Sequence, residues 1–258
     1  MDLQLERAIS EIKGRRAAVV ALQVPEGLRT RARTMAREIE EATGSRVLIM
    51  GDPCYGACDL RTPAGVDMLV HVGHAPMPDL GPVLPTIFLE VRMDFDVVRG
   101  LSDNAGLLRS KVGLVATAQH VHLLPQAVQA LDALGIKAVV GKGDRRTASP
   151  GQVLGCNVTS ALAIMDQVEQ FVFLGSGYFH PLAVALGTGL PVLSMDPYRG
   201  AVVDLEEARE KVMRQRYAAM AKARDARDWL VIVCDKPGQR RDAVALRCQE
   251  HLRERGMA

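Results

Sequence analysis

Short apolar runs alternate with longer helical patterns along most of the chain. Runs that predict β-strands lie at 17–22, 46–50, 67–72, 85–90, 112–115, 137–140, 170–174, 191–194 and 229–234. Helical spacing of apolar residues predicts helices over 28–43, 94–108, 124–134, 181–187, 205–228 and 240–255. Strands separated by helices of this length predict parallel βαβ connections. The expected fold class is therefore α/β, with repeated three-layer units built on parallel sheets.

Two cysteines occupy similar places in this alternation. Cys58 falls between the runs 46–50 and 67–72, and Cys156 falls between 137–140 and 170–174. In each case the second run leads into glycine and then histidine. The residues concerned are Gly73 and His74 in one case, and Gly175, Gly177 and His180 in the other. The repeat predicts duplicated halves that direct two thiols at one shared point, which is typical of a metal or cluster site.

The repeat also sets the expected domain boundaries. Residues 1–105 form a first α/β unit carrying Cys58, and residues 106–225 form a second, related by a pseudo-rotation and carrying Cys156. Residues 226–258 supply only one predicted strand and one helix, which cannot form a domain alone and would leave an exposed sheet edge. We therefore expect a partial third unit, in a shortened form of a longer three-unit ancestor.

Composition is that of a globular cytoplasmic protein. Of 258 residues, 48% are apolar and 24% are charged, which allows a sizeable core. The net charge of +2 is too small to indicate a nucleic-acid partner. The N-terminus lacks the apolar core of a signal peptide, and no apolar run approaches the roughly 20 residues that a membrane span needs. The five cysteines are therefore expected to be reduced thiols.

Eight short motifs occur in an order that resembles one family. They are Val24-Pro-Glu-Gly-Leu28, Tyr55-Gly-Ala-Cys58, Val70-His-Val-Gly-His74, Gln119-His-Val-His122, Gly151-Gln-Val-Leu-Gly-Cys156, Phe179-His-Pro181, Met195-Asp-Pro-Tyr198 and Lys236-Pro-Gly-Gln239. Together they resemble the diphthamide-biosynthesis family of unconventional radical-SAM enzymes, the archaeal 3-amino-3-carboxypropyl transferases, over about residues 15–240. The resemblance implies three similar α/β domains with pseudo-threefold symmetry around a 4Fe–4S cluster. Each domain gives one cysteine, usually in a homodimer.

The resemblance also implies a reaction. The reduced 4Fe–4S cluster cleaves S-adenosylmethionine, and the 3-amino-3-carboxypropyl group is added to a histidine of translation elongation factor 2, the first step of diphthamide biosynthesis. Cys58 and Cys156 match the family's metal ligands, whereas its third ligand has no match here. Cys234 and Cys248 lie inside a predicted strand and a predicted helix, and they are expected to be core or surface residues that bind no metal. Cys54, in the same loop as Cys58, is a further candidate.

Five other residues are expected to line the cofactor pocket. Ligands of parallel α/β folds bind at the carboxyl ends of strands, and a guanidinium suits a substrate carboxylate. The expected pocket residues are Glu26, Gln119, His120, Gly177 and Arg199. His74 and His180 end corresponding strands, where contact with substrate and a structural hydrogen bond are both open. The sequence identifies no catalytic residue.

Two alternatives to the transferase remain. The unmatched third cysteine is compatible with a non-catalytic partner subunit that supports a competent paralogue in a heterodimer. A quinolinate-synthase-like iron–sulfur lyase would share the repeated α/β arrangement and a three-cysteine cluster. The eight motifs fit the diphthamide family better than the lyase.

Overall fold

The predicted strands of the first half form one parallel sheet in the structure. The structure is a computed structural model that describes residues 3–79, 81, 84–198, 200–235 and 240–257. The first sheet has the order β2-β1-β3-β4. Its strands are β1 (Val19–Gln23), β2 (Arg46–Ile49), β3 (Met68–Val72) and β4 (Thr86–Leu89). All three pairings between them are parallel, as the βαβ pattern predicts.

Two helices pack against this sheet through apolar stripes. They are α1 (Leu5–Arg15) and α2 (Arg29–Thr43). In α2 the residues Ala32, Met35, Ala36 and Ile39 are buried, at the spacing that places them on one helix face. Gly44 ends α2 with a φ of 73°, a left-handed conformation that glycine adopts without strain. The sequence analysis did not predict α1, although Leu5, Ala8 and Ile12 repeat at helical spacing.

The second sheet repeats the strand order of the first. Its order is β6-β5-β7-β8-β9, in which the first four strands are parallel and β9 pairs antiparallel with β8. The strands are β5 (Lys111–Ala116), β6 (Lys137–Val139), β7 (Gln170–Leu174), β8 (Val192–Asp196) and β9 (Ala201–Asp204). The repeated parallel-sheet architecture is thus confirmed, whereas the pseudo-threefold relation and the domain boundaries at 105 and 225 stay predictions. The edge strand β9 was not predicted.

Shorter helices follow β4 and the strands of the second sheet. The α-helices are α3 (Val97–Asp103), α4 (Leu124–Ala133), α5 (Thr159–Leu162) and α6 (Phe179–Thr188). Short 3-10 turns lie at Glu26–Leu28, Ala105–Leu107, Val121–Leu123 and Met165–Gln167. The predicted helix over 94–108 is therefore shorter than expected, and its Gly106 lies in a 3-10 turn. Inside the sheet, Gly113 leaves the space that the Phe171 ring of the neighbouring strand fills.

The chain divides into two compact units, Met1–Glu206 and Glu207–Ala258. The second contains α7 (Glu206–Ala223) and α8 (Asp242–Glu254), both predicted. The predicted strand over 229–234 is wrong, because these residues have no regular structure. Leu230 and Ile232 are 85% and 83% exposed, and an isolated strand without a ladder partner leaves its backbone groups to water. No helix in the described ranges is long and apolar enough to cross a membrane.

Two leucines at the end of α4 provide a test of the hydrophobic core between α4 and the second sheet. Leu131 is fully buried, whereas Leu134 is 40% exposed. We expect Leu131→Ala to lower the free energy of unfolding by about 2–5 kcal/mol, because it leaves a cavity in a packed core. The matched control Leu134→Ala should cost at most about 0.5 kcal/mol, as surface substitutions do. Urea denaturation measures both, and equal losses would contradict the assignment of this core.

Candidate functional site

Cys58 lies in an apolar cluster at the carboxyl end of the first sheet. Its loop follows β2, and the residue is only 8% exposed. Ala57, Met77 and Phe88 are buried in the same cluster. Leu154, from the second sheet's Cys156 loop, also packs against this cluster. The two cysteine-bearing loops therefore meet at Leu154, whereas the convergence of their two thiols stays a prediction.

Cys156 lies at the tip of a tight turn. The backbone N–H of Asn157 donates to the Leu154 carbonyl at 3.0 Å, and the Leu154 N–H donates to the Asn157 carbonyl at 2.8 Å. Gly155 allows the turn to approach its neighbour, since a Cβ there would overlap the ring of Phe179. The turn leaves Cys156 exposed, in contrast to Cys58.

An ion pair braces the Cys156 turn from behind. The Asn157 side-chain amide donates to Asp144 Oδ1 at 2.7 Å, and Arg146 donates to Asp144 Oδ2 at 2.7 Å. The hydrogen bond from Arg146 is the largest cause that lowers the pKa of Asp144 to about 2. The same hydrogen bond raises the pKa of Arg146, and the Cys156 and Asp79 charges add to the effect. A fixed positive charge therefore lies near Cys156.

A chain of hydrogen bonds runs from the Cys58 loop to His74. Gln23 Nε2 donates to the backbone carbonyl of Asp59 at 2.9 Å, so the Gln23 oxygen faces His71 Nδ1 at 3.0 Å. A carbonyl can only accept, and this contact therefore fixes the orientation of the Gln23 amide. His71 Nδ1 must then donate to Gln23, which leaves the lone pair of the neutral ring on Nε2. His71 Nε2 lies 3.1 Å from His74 Nδ1.

Burial keeps the histidines of this region neutral. Desolvation lowers the pKa of His71 from 6.5 to about 3, with a further contribution from His74. Desolvation also lowers the pKa of His74 to about 4, where His180 lowers it further and Asp59 opposes the shift. Burial lowers the pKa of His180 as well. The three imidazoles therefore offer neutral nitrogens to a ligand at physiological pH.

Cys54 joins these histidines in one group. The thiol of Cys54 and one ring nitrogen each of His71 and His74 all lie within 4.8 Å of one another. Cys54 is 4% exposed, and its Sγ also lies 3.9 Å from the Gly56 carbonyl. Among the described residues, this is the one group of at least three such side chains whose ligand atoms lie this close together.

The predicted pocket residue Gln119 links the two sheets. Its Nε2 donates to the Gly73 carbonyl at 2.6 Å and lies 3.4 Å from that of Glu90, in the loops that follow β3 and β4. Gln119 itself follows β5 of the second sheet. Its amide N–H groups therefore hold the ends of the two sheets together beside His74. The sequence predicted Gln119 as a pocket residue and did not indicate this structural role.

Glu26 and His120 have different surroundings. Glu26 begins the 3-10 turn after β1, and its carboxylate pairs with Arg29 Nε at 2.9 Å with 74% of the side chain exposed. His120 is 3% exposed, and its Nδ1 lies 3.1 Å from Thr117 Oγ1. Its Nε2 is buried without a hydrogen-bond partner among the described residues, and burial lowers the pKa of this imidazole to about 4.

Gly177 and Arg199 complete the predicted set. Gly177 has a φ of 79°, and no atom lies within 4 Å of a Cβ built there, so the backbone favours glycine while the space beside it is open. Arg199 lies outside the described residues. The part of the chain that the structure describes therefore neither supports nor opposes a carboxylate contact for it.

Sequence reasoning overlooked Gln23 and His71 as members of the site. Both are polar residues inside otherwise apolar strands, and both are completely buried. The parallel register of β1 and β3 pairs them directly. The sequence did contain a signal for this pair, since each of two apolar runs has one polar residue near its end. Buried polar groups need hydrogen-bond partners, so two such residues are expected to pair.

The two thiols have the chemistry of iron–sulfur cluster ligands, and their approach to one another stays a prediction. Thiolates are the usual ligands of such clusters, and Cys58 and Cys156 lie on loops that meet at Leu154. None of the other three cysteines lies in a loop that repeats the setting of Cys58 and Cys156. Cys54 belongs to the histidine group, whereas Cys234 and Cys248 lie in the Glu207–Ala258 unit.

Comparisons with known proteins agree on one family. The family model described as "Putative diphthamide synthesis protein" matches residues 24–258. A 2-(3-amino-3-carboxypropyl)histidine synthase of Pyrococcus horikoshii is 39% identical, over 99% of this chain and 75% of that protein. The mouse 2-(3-amino-3-carboxypropyl)histidine synthase subunit 1 is 32% identical, and the chain spans 59% of its length.

A solved structure shows the same fold. The crystal structure of Dph2 from Pyrococcus horikoshii with a 4Fe–4S cluster matches with a TM-score of 0.90 and 38% identity. The match covers 100% of this chain and 76% of that one. The α/β fold assigned from the strand order is therefore that of a protein whose structure contains a cluster.

The buried His71 gives a testable dependence of stability on pH. Its pKa is about 3 in the folded chain against an ordinary 6.5, so between these values the unfolded chain binds a proton that the folded chain does not. Stability should therefore be fully present above about pH 6.5 and should fall as the pH drops towards 3. In His71→Asn, the Asn amide can still donate to Gln23 but cannot titrate. Urea denaturation between about pH 7 and pH 4.5 should show a weaker pH dependence for this variant. The same slope in both proteins would contradict the assignment.

Proposed function

Because the chain belongs to the diphthamide synthesis family, we propose that it transfers the 3-amino-3-carboxypropyl group of S-adenosylmethionine to a histidine of translation elongation factor 2. The meeting of the Cys58 loop with the Cys156 turn through Leu154 carries the proposal. Two thiols from separate sheets beside one junction support a shared cluster more than two independent structural roles, because structural cysteines would be packed into separate cores.

A 4Fe–4S cluster held by Cys58 and Cys156, and by a third ligand beyond this pair, would supply the electron that breaks the bond between the sulfur and the γ-carbon. Other residues of the chain set the polarity and charge around the two cysteines. Met77 and Phe88 surround Cys58 with apolar surface that limits water access. Arg146 places positive charge near the exposed Cys156. The neutral His180 can meet a polar substrate group without adding charge.

The proposal also includes the protein substrate, elongation factor 2, and the oligomeric state of the enzyme. We infer a cytoplasmic protein that acts on elongation factor 2 as a homodimer or beside a paralogue. The name of the mouse relative includes "subunit 1", which favours keeping the paralogue arrangement as the second candidate. In that arrangement the chain would support a competent partner and would not complete a cluster of its own.

Separate serine substitutions test the ligand assignment. After anaerobic reconstitution, Cys58→Ser and Cys156→Ser should each lose most of the iron and sulfide, because an alcohol is a poor ligand for this soft site. Cys248→Ser, on the exposed face of α8, is the matched control and should keep the full content. Iron and sulfide analysis with the visible absorption spectrum provides the measurement. Full cluster content in either of the first two variants would remove that cysteine from the ligand set.

A transfer assay distinguishes the two arrangements. The anaerobic chain with a strong reductant, S-adenosylmethionine labelled in its carboxypropyl portion and elongation factor 2 should give labelled protein. The label should disappear when the target histidine of the factor is replaced. A chain that holds no iron and transfers label only when a paralogue is added would contradict the homodimer and favour the supporting subunit. Mass spectrometry of the factor locates the added group.

A further inference from the structure

The group formed by Cys54, His71 and His74 has the composition of a transition-metal site. A thiolate with two imidazoles is a donor set typical of Zn²⁺ and of similar soft or borderline cations. The three donor atoms lie within 4.8 Å of one another, and two of the three residues are buried. The sequence offers Cys54 only as a further cluster candidate, and His71 lies in one of the eight motifs without an assigned role. We propose that Cys54, His71 and His74 bind a divalent transition metal at a site whose ligands are separate from Cys58 and Cys156.

The distances are close to those of a tetrahedral site. Zinc bonds of about 2.0–2.1 Å to nitrogen and about 2.3 Å to sulfur place two nitrogens about 3.3 Å apart and a sulfur about 3.6 Å from each. His71 Nε2 and His74 Nδ1 lie 3.1 Å apart. The thiol lies within 4.8 Å of one nitrogen of each imidazole, at most about 1.2 Å beyond the sulfur–nitrogen separation of a tetrahedral site.

Gln23 prepares the His71 ring for a metal. Its oxygen accepts the Nδ1–H of His71 while its own N–H group is held by the Asp59 carbonyl. The lone pair of His71 is therefore on Nε2, which faces His74. Metal-binding histidines usually donate their second N–H to such an acceptor, which fixes both the tautomer and the ring orientation. Gln23 is completely buried, so this orientation does not depend on solvent.

The proton balance of binding is simple. Cys54 loses its thiol proton to solvent when its sulfur binds the cation. The hydrogen bond in which His74 Nδ1–H donates to His71 Nε2 is replaced by two bonds to the metal, and the single proton of His74 moves from Nδ1 to Nε2 by exchange with solvent. Each cation bound thus releases one proton. Three protein ligands leave a fourth tetrahedral position for water or another small ligand, as in metal sites that react.

Cobalt and zinc titrations of the 258-residue chain, before any cluster is assembled, test the proposal. One Co²⁺ per chain should bind and give the visible bands of tetrahedral cobalt together with a thiolate-to-cobalt charge-transfer band. Zn²⁺ should displace it. Cys54→Ser should remove the charge-transfer band, and His74→Ala should weaken cobalt binding at least tenfold. His74 is only half-buried, so its variant keeps the test valid if a change at the buried Cys54 lowers stability.

Two controls separate this site from the cluster. Cys58→Ser should keep the cobalt bands, and Cys248→Ser controls for binding to a surface thiol. Cys54→Ser should keep its iron and sulfide after reconstitution, so this proposal and the cluster proposal fail on different readouts. The metal site is overturned if Cys54→Ser keeps the charge-transfer band. It is also overturned if Cys58→Ser removes that band to the same extent, since the thiols would then belong to one site.

Discussion

Parallel pairing of β1 with β3 is the constraint on which the site depends. This register sets Gln23 beside His71 at the carboxyl ends of two buried strands. Neither side chain could be buried alone without a cost of about 1–3 kcal/mol for its unmet hydrogen bonds. Together, with the Asp59 carbonyl and His74, they form a chain in which each polar group has a partner. The sheet therefore determines both where the histidines lie and which nitrogen carries the proton.

The second sheet acts on the first through a few contacts at the strand ends. Gln119 donates to the Gly73 carbonyl, one residue before His74, and Leu154 packs on the cluster around Cys58. Both contacts come from loops that follow strands of the second sheet. Because the two sheets share a strand order, equivalent loops emerge at equivalent ends of the two sheets.

Apolar periodicity predicted most of the fold because buried parallel strands are continuous apolar runs. It failed at 229–234, where an apolar run forms no strand, because a run does not specify a ladder partner. The Cys58 and Cys156 loops were identifiable from their repeated setting. The roles of Gln23 and His71 were not, since they depend on a register between residues 48 positions apart. Pairing of this kind is a property of the sheet rather than of either local sequence.

The two groups of cysteine ligands differ in ways that favour different metals. Cys58 lies in apolar surroundings that include Leu154 of the Cys156 loop, and the iron–sulfur cluster proposed for these two cysteines accepts several thiolates. Cys54, only four residues earlier, lies with two neutral imidazoles whose orientation Gln23 controls. Imidazole ligands favour a single divalent cation over a sulfide-bridged cluster. Neighbouring thiols in one loop can thus serve different metals, because the sheet gives each a different set of co-ligands.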